Sequence, residues 1–252
     1  MRMKFLNTHI DNLTMSEAIE ETDRLIRERK HSYIVTPNMD HIVLMENDEL
    51  FKDIYDNADL VLTDGKPLLW IAKKQGTPIK EKISGSDFFP EMCKLAARNG
   101  YKIYILGAAE GVAAKAAENL QKKHEGLQIV GTYSPPIGFE NDKDEVEHII
   151  DKINISNADI LAVALGSPKG EKFIYRIRDR INVALSISIG ATIDFEAGNV
   201  KRAPKWMSNI GLEWLYRITQ DPGRLIKRYW NDAISIVPIM RKYGKKQNDN
   251  LY

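Results

Sequence analysis

Residues 102–123 read Lys102-Ile-Tyr-Ile-Leu106-Gly-Ala-Ala-Glu-Gly111-Val-Ala-Ala-Lys-Ala-Ala-Glu-Asn-Leu-Gln-Lys-Lys123. A short, nearly continuous apolar run meets a glycine-bounded turn, and a helical pattern follows. A second apolar run, Leu127 to Thr132, comes directly after it. Strand, helix and strand within about thirty residues make the βαβ unit of a parallel sheet. A run without polar alternation fits a strand covered on both faces, because neither side of it meets water. The pattern extends outward in both directions. Tyr33-Ile-Val-Thr36 and Leu60-Val-Leu-Thr63 precede it, and Ile160-Leu-Ala-Val-Ala-Leu165 and Val183 to Ile189 follow. Helical segments lie between the runs. Thr14-Met-Ser-Glu17 has the form of a capping box for a helix reaching about Arg29. Ser86 or Asp87 is placed to cap a helix that stops near Asn99-Gly100, and Asp144 to Ile153 forms another. The expected fold is α/β: a Rossmann-like, mostly parallel sheet with helices on both faces, occupying residues 1–200.

From Ser208 onward the pattern is helical only. Leu212, Leu215, Tyr216 and Thr219 share one side of a first helix that ends at Asp221-Pro-Gly. Ile226, Trp230, Ala233, Val237 and Met240 form the stripe of a second, which Pro238 is expected to kink or end early. Basic residues flank that stripe, as in a helix lying at a membrane interface. The charge follows the same division. Lys plus Arg (36) and Asp plus Glu (35) nearly balance, yet residues 201–246 carry eleven basic and three acidic side chains, while residues 1–200 sum to −6. Residues 201–252 therefore read as a basic amphipathic appendage, suited to an anionic partner or to the acidic body itself. The stripe near Trp230 is equally compatible with lipid, the body or a second copy in a homo-oligomer.

Composition excludes other classes. With 43% hydrophobic and 28% charged residues, the chain is neither collagen, coiled-coil rod nor disordered tail. Its single cysteine, Cys93, forms no internal disulfide, which favours a reducing compartment. Met1 to Asn7 has charges but no apolar core of a secretory signal. The uncharged run Ile181 to Ile193 has 13 residues, where a spanning helix needs about 20. The expected location is cytoplasmic, peripheral on the inner face of the cell membrane.

In an open parallel sheet the ligand lies beyond the carboxyl ends of the strands. The loops there are small, polar and rich in Gly or Pro: Thr36-Pro-Asn-Met-Asp40, Thr63-Asp-Gly-Lys66, Leu106-Gly-Ala-Ala-Glu-Gly111, Tyr133-Ser-Pro-Pro-Ile-Gly-Phe139, Leu165-Gly-Ser-Pro-Lys-Gly-Glu171 and Gly190-Ala-Thr-Ile-Asp194. Asp64, between a buried strand and a glycine, is the first candidate. Low-dielectric walls raise a carboxyl toward the working range of a general base, although a helix cap for the segment at Pro67 would use the same residue. Gly107 to Gly111 opens a helix after a strand, so its backbone N–H groups suit a phosphate, without the dinucleotide-binding G-x-G-x-x-G spacing. Pro168 and Glu171 suit a helix start. Asp142-Lys-Asp144 spells the D-x-D of metal-dependent sugar transferases, but its place at a helix N-terminus reads as capping. The five histidines are scattered and form no metal-ligand pair with Cys93. No metal and no cofactor is expected.

Taken in order, Thr36-Pro-Asn38, Thr63-Asp-Gly65, Gly85-Ser-Asp87, Leu106-Gly-Ala-Ala109, Tyr133 to Phe139, Gly166-Ser-Pro-Lys169 with Glu171, Gly190 with Asp194 and Gly198, Lys201-Arg-Ala-Pro204 and Leu212-Glu-Trp-Leu-Tyr-Arg217 resemble the WecG/TagA/CpsF glycosyltransferases, family twenty-six of that class. Each motif is modest alone, and the ordered set is specific. The resemblance covers about Leu6 to Tyr243. It implies an inverting, metal-independent transfer of N-acetylmannosamine or a related hexose from a UDP-sugar to a polyprenyl-diphosphate-linked acceptor, in bacterial cell-surface polysaccharide synthesis. Asp64 matches the family's general base, and Thr36 and Asn38 match the loop of the sugar pocket. Gly107, Tyr133, Gly166, Pro168, Glu171 and Asp194 join them as donor-binding candidates. Lys82, Arg217, Arg224 and Arg228 are candidates for the diphosphate or the acceptor, the arginines arriving with the appendage.

Two positions depart from the family pattern. Gly170 stands where a glutamine is common and supplies no amide. Lys82 stands where an arginine is common and makes no bidentate phosphate contact. The identity of the sugar stays open on that account. Two readings from other classes compete: a nicotinamide-dependent oxidoreductase, disfavoured by the missing glycine fingerprint, and a non-enzymatic membrane or nucleic-acid adaptor built on the basic segment. The transferase reading expects no nucleic-acid partner.

Overall fold

The structure, a computed structural model, describes residues 2–209 and 211–248, without the side chains of Lys205, Asn209, Arg224 and 245–248. The chain opens with a hairpin, β1 (Arg2–Phe5) and β2 (Thr8–Asp11), which the apolar-run pattern passes over. Then follow α1 (Met15–Glu28), β3 (Ser32–Val35), α2 (Met39–Leu44), α3 (Glu49–Asp56), β4 (Leu60–Val61), α4 (Lys66–Lys74) and α5 (Gly85–Asn99). Next come β5 (Lys102–Gly107), α6 (Val112–Lys123), β6 (Gln128–Tyr133), α7 (Lys143–Ser156), β7 (Ile160–Ala164) and α8 (Lys169–Ile177). The chain continues through β8 (Leu185–Ser188), α9 (Thr192–Ala197), α10 (Lys205–Asn209), α11 (Glu213–Gln220) and α12 (Pro222–Asn248).

The main sheet has the order β4-β3-β8-β7-β5-β6, and every described pair in it is parallel. The period of two along each strand divides its side chains between two cores. On β7, Leu161 and Val163 face the layer of Phe51, Ile54, Ile150 and Phe173, from α3, α7 and α8. Ile160 and Ala162 face the layer of Phe88, Met92, Leu120 and Ile193, from α5, α6 and α9. Both faces are covered, which is why the strand sequences are continuously apolar. The connection after β5 crosses to one face through α6, and that after its neighbour β7 to the other through α8. Such divergence opens a crevice at the carboxyl ends.

Local chemistry accounts for the helix ends. Thr14 and Glu17 close the capping box: Glu17 N–H donates to Thr14 Oγ1 (3.3 Å) and Thr14 N–H to the Glu17 carboxylate (2.7 Å). The cap of α5 is Ser84 rather than Ser86 or Asp87, since Ile83 N–H is tied to Thr63 O (2.8 Å) and the helix begins at once with Gly85. Asp142 caps α7, accepting from Asp144 and Glu145 N–H (3.0 and 3.3 Å), so the D-x-D carboxylate sits at a helix start. Helix α12 runs through Pro238 without ending. The carbonyl that loses its donor belongs to Ile234, on the exposed side, where water can satisfy it.

That helix packs on α2 with Leu225, Asp232, Ile236 and Ile239 buried. The stripe marked by Ile226, Trp230 and Val237 is turned outward and exposed, together with Trp206, Trp214 and Leu215. Among the described residues no helix is long and apolar enough to cross a membrane.

Candidate active site

Two groups of ionisable side chains meet at the carboxyl edge of the sheet. The first surrounds Asp64. Beyond β4 the chain stays alongside the end of β3: Leu62 N–H donates to Val35 O (2.9 Å) and Asp64 N–H to Pro37 O (2.8 Å). Helix α4 is capped by Gly65 at φ 96° with no side-chain bond, so the Asp64 carboxyl is not consumed as a cap. Burial pushes it up to about 6; Lys82 and Arg217 pull against that rise, and Glu213 and Asp87 add to it. Asp64 keeps part of its surface accessible. A carboxyl tuned this way is ionised at neutral pH, yet more basic than one in water.

Lys82 and Asp87 flank Asp64 as an ion pair (2.7 Å), and Asp87 also binds the Arg202 guanidinium. Helix α11 brings Arg217, whose guanidinium lies 6.0 Å from the Phe195 ring, so α9 and its Asp194 border the same group. Burial raises the Asp194 carboxyl.

The second group lies one loop away. Thr36 and Asn38 are half-buried after β3, and the Asn38 side chain caps α2 by accepting from His41 N–H (3.2 Å). Asp40 faces α12, with Arg228 Nε 3.7 Å from its Oδ2. Asp232 of α12, 4% exposed, is pushed to about 7 by burial and then by Asp40, to which it hydrogen-bonds. Beneath them His41 Nδ1 and the Tyr55 hydroxyl are 2.7 Å apart. Burial and then Arg228 push His41 down to about 3, so its ring is neutral. The buried Tyr55 phenol is raised by burial and by the charges of Glu171, Asp64 and Asp40, and so adjoins both groups.

Glu171, in the first turn of α8 and 5% exposed, is raised to about 7 by burial, against hydrogen bonds from its own N–H, Ser188 and Ser167. Among the described residues, Glu171 Oε2, Thr63 Oγ1 and Arg228 Nε are buried side-chain atoms without a hydrogen-bond partner, which leaves capacity for a ligand. Gly170 has a local cause: a Cβ there would stand 2.7 Å from Ser188 Oγ.

The remaining candidates are backbone or engaged groups. Gly107 has φ 109°, and a Cβ on it would meet the Ala164 carbonyl at 2.6 Å, so only glycine lets β5 and β7 approach at the crevice. Gly166 O accepts from Gly170 N–H (2.8 Å), and Pro168 is the residue before α8. The Tyr133 hydroxyl donates to Glu145 (2.7 Å) and its ring carries Lys152 at 5.0 Å, which turns it toward α7. The side chain of Arg224 lies outside the described residues. Arg217 stands with Asp64, whereas Arg228 stands with Asp40. The sequence reading missed Asp40, Asp232, Arg202 and the pairing role of Asp87; Asp40, Asp87 and Arg202 lie inside the motifs above, but nothing in those motifs pairs Arg202 with a carboxylate 115 residues away.

The family model described as "Glycosyl transferase WecG/TagA/CpsF family" matches residues 3–250. An N-acetylglucosaminyldiphosphoundecaprenol N-acetyl-beta-D-mannosaminyltransferase of Bacillus spizizenii is 32% identical over 209 residues, covering 83% of this chain and 77% of the relative. A protein of the same description from Bacillus subtilis is 30% identical over 202 residues, covering 80% and 74%. The ordered loop motifs, the parallel sheet that carries them and these matches agree: the chain belongs to the WecG/TagA/CpsF family of glycosyltransferases.

Proposed function

We propose that the chain is an inverting, metal-independent transferase, moving a sugar of the N-acetylmannosamine class from a UDP-sugar to a polyprenyl-diphosphate-linked acceptor at the cytoplasmic membrane face. The names of the two relatives support the acceptor and sugar classes. The observation that carries the chemistry is Asp64, a partly accessible carboxyl raised to about 6 between the β3 and β4 loops. In an inverting transfer the acceptor hydroxyl attacks the anomeric carbon from the face opposite the leaving group. Its O–H proton passes to Asp64 as the new C–O bond forms, and the anomeric C–O bond to the diphosphate breaks with both electrons leaving on UDP. One positioned base suffices for that step. Charge on the departing diphosphate falls to Lys82, Arg217 and the backbone N–H groups of the crevice loops.

The appendage, residues 201–252, has two parts in this reading. Arg217 joins the Asp64 group. The exposed Trp206, Trp214, Ile226, Trp230 and Val237 offer an apolar and aromatic surface beside basic side chains, suited to anionic lipid. The test is UDP release from a panel of UDP-sugars with a short-chain lipid-diphosphate acceptor, with and without EDTA. Acceptor-dependent release that survives EDTA is expected. Asp64→Asn should lower turnover about a thousandfold while UDP binding persists. Near-normal turnover in that variant refutes the role of Asp64, and release abolished by EDTA refutes metal independence.

A further inference from the structure

The segment that joins the body to the appendage delivers a cation that no motif-based expectation assigned. Arg202 Nη1 donates to Ser86 O (3.2 Å), and its Nη2 pairs with Asp87 Oδ1. On the other oxygen of the same carboxylate, Asp87 Oδ2 receives Lys82 Nζ at 2.7 Å and the Ser84 hydroxyl at 2.7 Å. An ammonium and a guanidinium therefore converge on one small anion, each from its own side. That is the arrangement the two would take around a phosphate, whose oxygens have nearly the same spacing as those of a carboxylate. The Lys82 side chain is 13% exposed and that of Arg202 33%, so the pair is sheltered but open on one side. Burial pushes the Asp87 carboxyl up, and Lys82, Ser84 and Arg202 together outweigh it, holding the group at about 2. Asp87 is thus a full anion at any working pH.

The cluster is fixed beside Asp64. Ile83 N–H donates to Thr63 O (2.8 Å), which ties the residue after Lys82 to the residue before Asp64. The charges of both Lys82 and Asp87 are felt at the Asp64 carboxyl. Lys82 alone presents a point charge with three rotatable donors. Arg202 adds a planar fork with five N–H donors, of which the contacts with Ser86 and Asp87 engage two.

We propose that Arg202 is a diphosphate-binding residue of the transferase site, paired with Lys82, and that Asp87 is the internal anion that occupies the two cations until a ligand's diphosphate displaces it. The inference rests on the proposed function for its setting and extends it. The ligand chemistry is a diphosphate ester. As Asp64 takes up a proton during transfer, the cluster gains one unit of positive charge while the leaving diphosphate gains negative charge, so the two changes reinforce each other. Arg202 sets a guanidinium on the same carboxylate that receives the Lys82 ammonium.

The experiment measures dissociation constants of UDP and of geranyl diphosphate for the full chain by calorimetry, with apo melting temperatures alongside. The first ligand carries the donor's diphosphate, and the second represents the acceptor's. Arg202→Gln should weaken one or both by about tenfold or more, the value of a charge-assisted bond. A loss confined to UDP assigns Arg202 to the donor, and a loss confined to geranyl diphosphate assigns it to the acceptor. Arg202→Lys, which keeps the charge without the fork, should fall between. Asp87→Asn breaks the same ion pair but leaves both cations, so it should hold or tighten the affinity. Equal losses in Arg202→Gln and Asp87→Asn, or unchanged affinities in Arg202→Gln with only a lower melting temperature, would make the pair a mere fastening of the appendage and overturn the proposal. Full activity of Asp64→Asn with weakened binding in Arg202→Gln would instead refute the proposed function and leave this inference standing.

Discussion

Replacing Asp232 by asparagine should tighten the docking of α12 at alkaline pH and leave it unchanged at acid pH. Asp232 is 4% exposed and is raised from an ordinary 3.8 to about 7 by burial and by its hydrogen bond to Asp40. The other groups facing this pair are Arg228, which favours the ionised form, the neutral His41 ring, and Glu171, which senses Asp40. The folded state thus prefers the protonated acid. Its advantage is complete below about 3.8 and is lost as the pH rises through about 7. About three pH units at 1.36 kcal/mol each set a ceiling of about 4 kcal/mol. Part of this is relieved because a repelled helix end can shift toward water, so about 2 kcal/mol is expected. Asparagine keeps the neutral state at every pH and still donates to Asp40. Hydrogen exchange of the α12 amides, compared at equal pH, reads the difference directly: about 30-fold greater protection at pH 8 for the variant, about fourfold at pH 5, and parity below the ordinary value of 3.8. Equal or weaker protection at pH 8, or the same gain at pH 5, would refute a proton held between Asp40 and Asp232.

Lys82→Met removes the charge that most strongly pulls Asp64 down, so the acid limb of the kcat/KM profile should move up from about pH 6 by roughly one unit; a limb that stays in place would separate Asp64 from the rate. Gly107→Ala places a Cβ 2.6 Å from the Ala164 carbonyl at φ 109°, and should destabilise by roughly 3 kcal/mol or more; an unchanged urea midpoint would contradict the close approach of β5 and β7. Trp206→Ser with Trp230→Ser, both far out in solvent at 61% and 68% exposure, should lower flotation with anionic vesicles about tenfold while the melting temperature holds. Retained flotation would refute the part proposed for these tryptophans in lipid contact.

Much of the fold is legible in the sequence because burial on both faces writes itself as continuous apolar runs. Ile160 to Ala164 is the clearest, each residue buried and alternate ones serving opposite cores. The β1–β2 hairpin is not legible. Its strands are four residues each and mixed in polarity, and Asp11 holds them through contacts with Arg2 and with Val61 N–H (2.9 Å), 50 residues away. Asp64 could be found from its place after a strand. Asp87 with Arg202 could not, since the partners are 115 residues apart and neither stands out alone. Helix α12 shows a similar limit. Its amphipathic period is plain, but which stripe meets the body depends on α2 and the turn after it, where Asp40 and Glu46 receive Arg228 and Lys242.

The place of β8 in the sheet has a consequence for the order of assembly. β8 is the last strand in the chain, yet it lies between β3 and β7 and pairs with both. Until it inserts, β4 and β3 form one fragment, and β7, β5 and β6 another. A nascent chain emerging from the ribosome would carry these two half-sheets unjoined until residue 188 is free. Asp64 belongs to the first fragment, and the Gly107 crevice to the second. A chain that stops short of β8 therefore lacks the strand that joins the two through the sheet, and the late strand ties the meeting of Asp64 with the Gly107 crevice to the completion of the sheet.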